Sequence, residues 1–447
     1  MDLNGKQVAI EATDEEIVAR VAAIDVAKDS GMVCTRVPHE SRPGKRATTV
    51  WSVSARTNSI LALADQLAEQ RIERVVLEAT SDYWRVFYYL LEARGLTVWL
   101  VNARDVKNVP GRPKTDKLDA VWLAKLNERG MLRASFVPPV EIRQLRDYTR
   151  LRVDLTGERS RHIQRLEKLL EDALIKLSSV ATDIMGVSSR LMIAALIDGE
   201  RDPQILAELA KGRLRVKRGA LIEALTGRFD EHHAELADLL LAQIDGLTTQ
   251  INRLDTRIEQ LLADIPAAQA PPSAPTSDGP TAPAYLTAVE RLDEITGIGP
   301  RAAQTIIAEI GLSMAVFPTA AHLVSWAKLS PRAIQSGAKS RSGKTGKGNP
   351  YLKGVLGEAA AAAARTNTFL GARYRRLARR IGKLKALVAV ARSILVITWH
   401  LLADPTRRYH DLGPEFFDNR IRPERRKQNH IHQLEALGYT VTLTPAA

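Results

Sequence analysis

One cysteine, Cys34, serves a chain of 447 residues. A lone thiol excludes an internal disulfide framework and a thiolate zinc site. Long apolar runs are missing too: none approaches the roughly 18 residues that cross a bilayer. The first residues also lack the basic-then-apolar layout of a signal peptide. These absences predict a soluble, cytoplasmic chain with no membrane partner. Hydrophobic residues at 45% against 26% charged exclude a wholly disordered polypeptide, and the length corresponds to about three folding units.

Acids are nearly missing from one window. Residues 330–410 hold 17 Lys and Arg against 2 acids, a net of +15; the whole chain sums to +13, which leaves −2 for everything else. A chain that is basic only for solubility spreads its charge, whereas a concentrated stripe is what a phosphate backbone requires of its partner. Nucleic acid is favoured over a membrane surface, which predicts association with the nucleoid.

The first 130 residues alternate apolar runs with helical patterns. Val21–Val26, Met32–Val37 and Thr48–Val53 read as strands, followed by a helix over Ser59–Glu69, a strand over Val75–Glu78 and a helix over Asp82–Arg94. A strand over Thr97–Asn102 and a helix from about Asp116 to Glu128 close the series. The order βββαβαβα predicts a mixed α/β sheet with helices on its faces, and among nucleases it is the order of the ribonuclease H and RuvC type, here over residues 18–135. A charged helix from Val140 to about Leu177 and a second from about Glu235 to Ile265 predict an α-helical region over 139–265, with an insertion at about 186–228. In the second helix Leu240, Ile244, Leu247, Ile251, Leu254, Ile258, Leu261 and Ile265 follow a 4-3 spacing, the seam of a coiled coil. Its partner is either the first helix or the same helix of another subunit. Residues 266–284 hold six prolines and no large apolar side chain, the composition of a linker. A mainly helical C-terminal domain over 285–410 and a tail over 411–447 complete the chain; the end of the tail is either an edge strand or loose.

Asp25 ends the first strand and Glu78 the fourth, so adjacent strands would bring both carboxylates out at one edge. Asp116 and Asp119, three apart at a helix start, share one helical face. Four carboxylates in a small volume need cations, and hard oxygen ligands favour Mg²⁺ or Mn²⁺, which clamp the attacking and leaving oxygens of a phosphodiester. The bland alternative is that each acid caps a helix. Four acids, each on the correct element of this order, favour the metal.

In the segment LDEITGIGPRAAQ, Gly297 and Gly299 permit a tight turn before a helix N-terminus, the helix-hairpin-helix pattern that suits a phosphate; a plain connector needs the same glycines for geometry alone. Further on, Ser336 precedes Gly337 in a segment read as a loop, with Lys339, Arg341, Lys344 and Lys347 close behind. Nearby cations activate a serine hydroxyl toward phosphorus, although serine, glycine and lysine also make an ordinary phosphate-contacting loop. GKTGKG lacks the spacing of a nucleotide-binding P-loop. The helix bearing Arg375, Arg376, Arg379 and Arg380 carries charge on too many sides for a solvated amphipathic helix and reads as a nucleic-acid face. Cys34 reads as core, and His232 and His233 as solvent-facing.

AIDVAK, VVLEAT, KTDKLDA, the GIGP hairpin and SPRAIQSG followed by YLKGVL occur in that order between about residues 20 and 400. Together they resemble insertion-sequence transposases of the Asp-Glu-Asp-Asp type, the bridge-RNA-guided serine recombinases. The resemblance implies a RuvC-like domain, a coiled coil and a C-terminal transposase domain. It implies metal-binding roles for Asp25, Glu78, Asp116 and Asp119 and a nucleophilic role for Ser336. It also implies donor and target DNA as partners, a structured noncoding guide RNA, and dimers that assemble as tetramers. The 186–228 insertion and the Pro-rich linker are long for that family. One rival reading is a RuvC-type structure-selective endonuclease that hydrolyses DNA without Ser336; another is a nucleic-acid-binding assembly protein whose acids are only caps.

Overall fold

The computed structural model describes residues 18–78, 81–102, 116–271, 285–331, 333–336, 339–419 and 423–443. The loop before Asp116, Gly337 and residues 272–284 of the Pro-rich segment lie outside the described residues, as do the side chains of Asp116, Ser336, Lys339 and Arg341. The chain divides into two compact units, ending and beginning at Val137 and Pro138.

In the first unit, β1 (Val21–Val26), β2 (Ser30–Pro38) and β3 (Arg46–Ser54) form an antiparallel meander, and β4 (Arg74–Glu78) and β5 (Val98–Val101) add in parallel beyond β1. The strand order is β3-β2-β1-β4-β5. β1 and β4 read as near-continuous apolar runs because both of their faces are covered. On one face Ala22, Ile24, Val33, Val75 and Leu77 pack with α1 (Thr57–Glu69) and α2 (Trp84–Ala93). On the other, Ala23, Cys34, Val76 and Val101 pack with Ala120, Leu123 and Ala124 of α3 (Asp116–Glu128). The expected mixed sheet is present in its expected order; α2 starts at Trp84 rather than Asp82.

The second unit is mainly helical. α4 (Val140–Asp172) ends sooner than its charge pattern suggests, because Leu174 takes a left-handed backbone (φ 60) and turns the chain. A cap of α5 (Val187–Ile197), α6 (Pro203–Glu208) and α7 (Arg218–Leu225) leads to α8 (Glu231–Asp264). Pairs across α4 and α8 run in opposite senses: Arg152 to Asp255 at 2.9 Å, Arg159 to Thr248 at 3.4 Å, Asp172 to His233 at 3.3 Å. Within this chain, then, the partner of α8 is α4. Ile244, Ile251, Leu254, Ile258 and Leu261 of the 4-3 seam are buried. The 186–228 segment, read as an insertion, is packed: Met192, Ile193, Leu206, Leu221 and Leu225 share a core with Leu166 and Leu170 of α4 and Leu241 of α8.

Two further expectations need correction. Pro266–Ala268 form a 3₁₀ turn with Ala268 buried and the Gln269 amide bonded to Leu262 O, so the Pro-rich stretch begins as packed structure. After α9 (Ala288–Asp293), α10 (Pro300–Ile310), α11 (Ala320–Trp326), the hairpin β6 (Ala333–Ser336) and β7 (Lys339–Ser342), α12 (Pro350–Ala364) and α13 (Phe369–Ile381) comes α14 (Lys383–Ala403), which is long and apolar enough to cross a membrane. Arg392, in the middle of the helix, breaks the apolar run in sequence; Ala386, Val390, Ile394, Leu395 and Leu401 are buried against neighbouring helices, as in a core helix. The tail contains α15 (Pro423–Ala436), and residues 437–443 form no strand.

Candidate functional site

β1 and β4 pair in parallel with Ala23 beside Val76 and Ile24 beside Leu77, so the next step of the register sets Asp25 beside Glu78. Neighbouring strands lie about 4.8 Å apart. Side chains alternate along a strand, and Asp25 and Glu78 each follow by two a residue packed under α3, Ala23 and Val76. Both acids therefore emerge on the α3 face. Glu78 is buried and Asp25 half-buried.

α3 runs antiparallel to these strands, and its C-terminal end is pinned at their beginning. The Asn127 amide donates to Ala22 O at 3.1 Å and accepts from Arg74 Nε at 2.6 Å. Next to it, Glu128 accepts from Arg36 at 2.6 Å and Arg46 at 2.8 Å. Burial pushes the Glu128 carboxyl up, and the two guanidiniums outweigh that and hold it below its ordinary value. Ala22 to Asp25 is about 10 Å of strand, and Asn127 back to Asp119 is about 12 Å of helix. Asp119, half-buried, thus comes level with Asp25 and Glu78. Asp116 starts α3 one turn earlier. Among the described residues the ligand atoms of Asp25, Glu78 and Asp119 do not converge within 4.8 Å of one another; carboxylates that share one edge repel as they approach unless a cation or protons intervene, and as hard oxygen donors they suit Mg²⁺ or Mn²⁺. The pinning residues Asn127 and Glu128 carried no signal in the sequence.

In the second unit Ser336 closes β6 and lies opposite Lys339 at the start of β7, so it ends a strand rather than sitting in a loop. Beyond β7 the chain is tied down by residues that sequence reasoning passed over. Asn349 caps α12, accepting from the Tyr351 and Leu352 N–H groups at 3.0 and 3.2 Å, and donates to Glu309. Asn before Pro at a helix start is the signal that identifies such a cap. Glu309 is 0% exposed and grips Arg150 of α4 bidentately at 2.7 and 2.8 Å. Arg146 donates to Ala308 O and Glu309 O, sealing the end of α10. Arg152, also buried, reaches Asp255, Gln304, Thr305 and Arg301 O; burial holds it below the usual arginine range while Asp255 opposes.

The two hairpin glycines separate in role. Gly297 has φ 92, and a Cβ there would lie 2.3 Å from Ala359 O, so this position is glycine for close approach to α12. Gly299 begins α10 without a side-chain cap and lines an open cavity of about 970 Å³ between α4, α10 and α12, with Thr156, Gly157, Arg301 and Tyr351. Lys344, Lys347, Arg375, Arg376, Arg379 and Arg380 are exposed. Arg375 also donates to Thr366 O at 2.9 Å, and Arg376 lies 4.2 Å over the Phe417 ring.

His233 is 2% exposed, which corrects its solvent-facing reading. Its Nδ1 accepts from Asp230 N–H at 3.2 Å, completing the box that starts α8, and its Nε2 faces Asp172 at 3.3 Å. His232 stacks on it at 3.8 Å between ring centroids and is exposed. With Nδ1 accepting, the neutral ring carries its proton on Nε2, and a metal at Nε2 would displace that proton. Cys34 is core as expected, and burial pushes its thiol up to about 11.

Residues 22–175 match the model of a transposase of the IS110 Asp-Glu-Asp-Asp type, and residues 289–375 match the transposase IS116/IS110/IS902 family. The two segments span more than half of the chain and hold, respectively, the acid edge and the Ser336 hairpin. These are the domains of a DNA-cleaving, strand-transferring enzyme. The chain belongs to the IS110 family of transposases. No curated protein matches it. Among solved structures, the Thermus thermophilus RuvC structure is similar at 15% identity over 26% of this chain and 99% of its own, with a TM-score of 0.21. T. thermophilus RuvC in complex with Holliday junction substrate is similar at 16% over the same shares, with a TM-score of 0.18.

Proposed function

We propose that Asp25, Glu78, Asp116 and Asp119 hold Mg²⁺ or Mn²⁺ at a scissile phosphate and that Ser336 is the nucleophile of DNA strand exchange. The register that pairs Ile24 with Leu77, one residue before Asp25 and Glu78, on the sheet covered by α3 supports this reading. The bound cation would neutralise the carboxylates and the charge that develops on phosphorus. Everything else falls to the chain. Ser336 Oγ forms a bond to phosphorus as the bond from phosphorus to a deoxyribose oxygen breaks. Oγ gives up its proton, and the departing oxygen takes one up as a free hydroxyl. Attack by another strand's hydroxyl on the serine phosphodiester reverses both steps, rejoins DNA and frees the serine, so no outside energy is needed. Lys339, Arg341, Lys344 and Lys347 lower the serine's proton affinity and hold phosphate. Gly299 at the start of α10, and Arg375, Arg376, Arg379 and Arg380 on α13, bind the backbone of the donor and target DNA. The guide RNA and the dimer-to-tetramer assembly complete this reading and rest on the family resemblance.

The full chain, incubated with DNA and Mg²⁺ and then denatured, should carry a covalent DNA adduct. Ser336→Ala should lose the adduct and retain DNA and RNA binding. Asp25→Asn or Asp119→Asn should cut cleavage by at least about a thousandfold with an unchanged far-UV spectrum. Undiminished cleavage by Ser336→Ala would turn the reading toward a hydrolytic, structure-selective endonuclease; full activity of Asp25→Asn would remove the metal site.

A further inference from the structure

The segment Lys211–Arg218, KGRLRVKR, places five cations and no acid in eight residues. It lies outside the basic window 330–410 and between the two family-matched segments. Gly212–Lys217 form a 3₁₀ turn that runs straight into α7. Only Leu214 reaches the core of the cap; Lys211, Arg213, Arg215, Lys217 and Arg218 are exposed, and Val216 between two of them is 89% exposed.

This is a fixed surface rather than a loose run. Lys211 N–H donates to Ser188 Oγ at 2.9 Å, Arg215 Nε to Ala210 O at 3.3 Å and Lys217 Nζ to Val180 O at 3.0 Å, while Arg218 pairs with Glu208. The side chains of Lys211 and Arg213 have no partner among the described residues. Two acids elsewhere in the cap serve the backbone: Asp202 caps α6, and Glu200 accepts from the Arg201 and Asp202 N–H groups. The cations also crowd the start of α7, which has no side-chain cap and no acid in its first turn. A helix start is already the positive end of the helix dipole, so the arrangement opposes folding until an anion arrives.

We propose that this edge of the cap is a second docking surface for the phosphate backbone of duplex DNA. Duplex is favoured over single strands because the one aromatic residue of the cap, Phe229, is buried and offers no stacking platform. The enzyme's DNA-cleaving class supplies the choice of DNA, so the inference rests on that reading, although its readout involves no cleavage. From Arg152, where α10 docks on α4, to Asp172 beneath the cap is about 30 Å of helix, close to one turn of duplex. The surface thus extends the protein's grip well beyond the serine-bearing domain.

The full-length variant K211Q/R213Q/K217Q, assayed in EDTA on a 40-bp duplex, should lose about two to three units from the slope of log affinity against log salt, roughly one per lost contact. The loss should be equal on unrelated sequences, and the melting temperature should not fall, because like charges leave a helix start. R213Q alone should lose about one unit and serves if the triple variant is unstable. An unchanged slope in a folded variant overturns the proposal. So does a loss confined to an RNA duplex or to phosphatidylserine vesicles while DNA binding stays intact. Adduct formation by either variant tests the serine reading separately.

Discussion

Asp25 lies in the central strand of a five-stranded sheet, paired on both sides and covered by helices on both faces. Ser336 ends a two-stranded ribbon that is carried by helices. A lone two-stranded ribbon is marginally stable in water, so its position must come from what flanks it, and the flank on the α12 side converges on one carboxylate, Glu309. The acid edge is held by many small contacts, the serine segment by a few large ones. Many redundant contacts make a site tolerant of single changes, while a few charged ones concentrate the risk.

Glu309→Ala should have the largest effect on stability. It leaves Arg150, Arg146 and the Asn349 amide facing an empty buried site, at a cost of about 3–5 kcal/mol. Denaturant unfolding of the full chain should show loss in the helical unit with the α/β unit unaffected. Equal loss in both units would show that Glu309 does not act through the helical unit alone. Next comes the pair of glycines. Gly297→Ala meets Ala359 O at 2.3 Å from a positive φ, whereas Gly299→Ala meets nothing within 4 Å. The first should cost about 2–4 kcal/mol and the second about 1 kcal/mol or less, read as the difference between their melting temperatures. Equal costs would mean that α12 does not press on the hairpin. Smallest is Glu128→Gln, about 1 kcal/mol, because Asn127 and the apolar face of α3 remain. The Glu128 carboxyl is held below its ordinary 4.5 in the fold, so its stabilisation is present above about pH 4.5 and fades as pH falls through the lower folded value. The variant's stability should accordingly converge with that of the parent in acid; a constant gap down to low pH would show that Arg36 and Arg46 do not act through its charge.

The sheet was legible because its central strands, VAAIDV and RVVLE, are buried on both faces and so appear as unbroken apolar runs. α8 was legible from the 4-3 spacing of its seam. The acids could be placed on strand ends and a helix start, yet the alignment of α3 with those strands includes Asn127, which bonds across 105 residues to Ala22 and leaves no local pattern. β6 and β7, AIQS and KSRS, carry no apolar alternation, so nothing marked them as strands. His233 looked like surface because its partner Asp172 is 61 residues away and its bond to Asp230 N–H belongs to an uncommon histidine version of a capping box.

The antiparallel course of α3 bears on how the protein is made. β1 and β4 leave the ribosome as neighbours in time, within the first 78 residues, but the acid edge lacks its third member until α3 has been threaded back and locked at Asn127 and Glu128. The serine follows some two hundred residues later, which at about 5–20 residues per second is a delay of tens of seconds. A truncated or stalled product therefore holds the acid edge without the Ser336 hairpin, so the two family-matched segments become available one after the other rather than together.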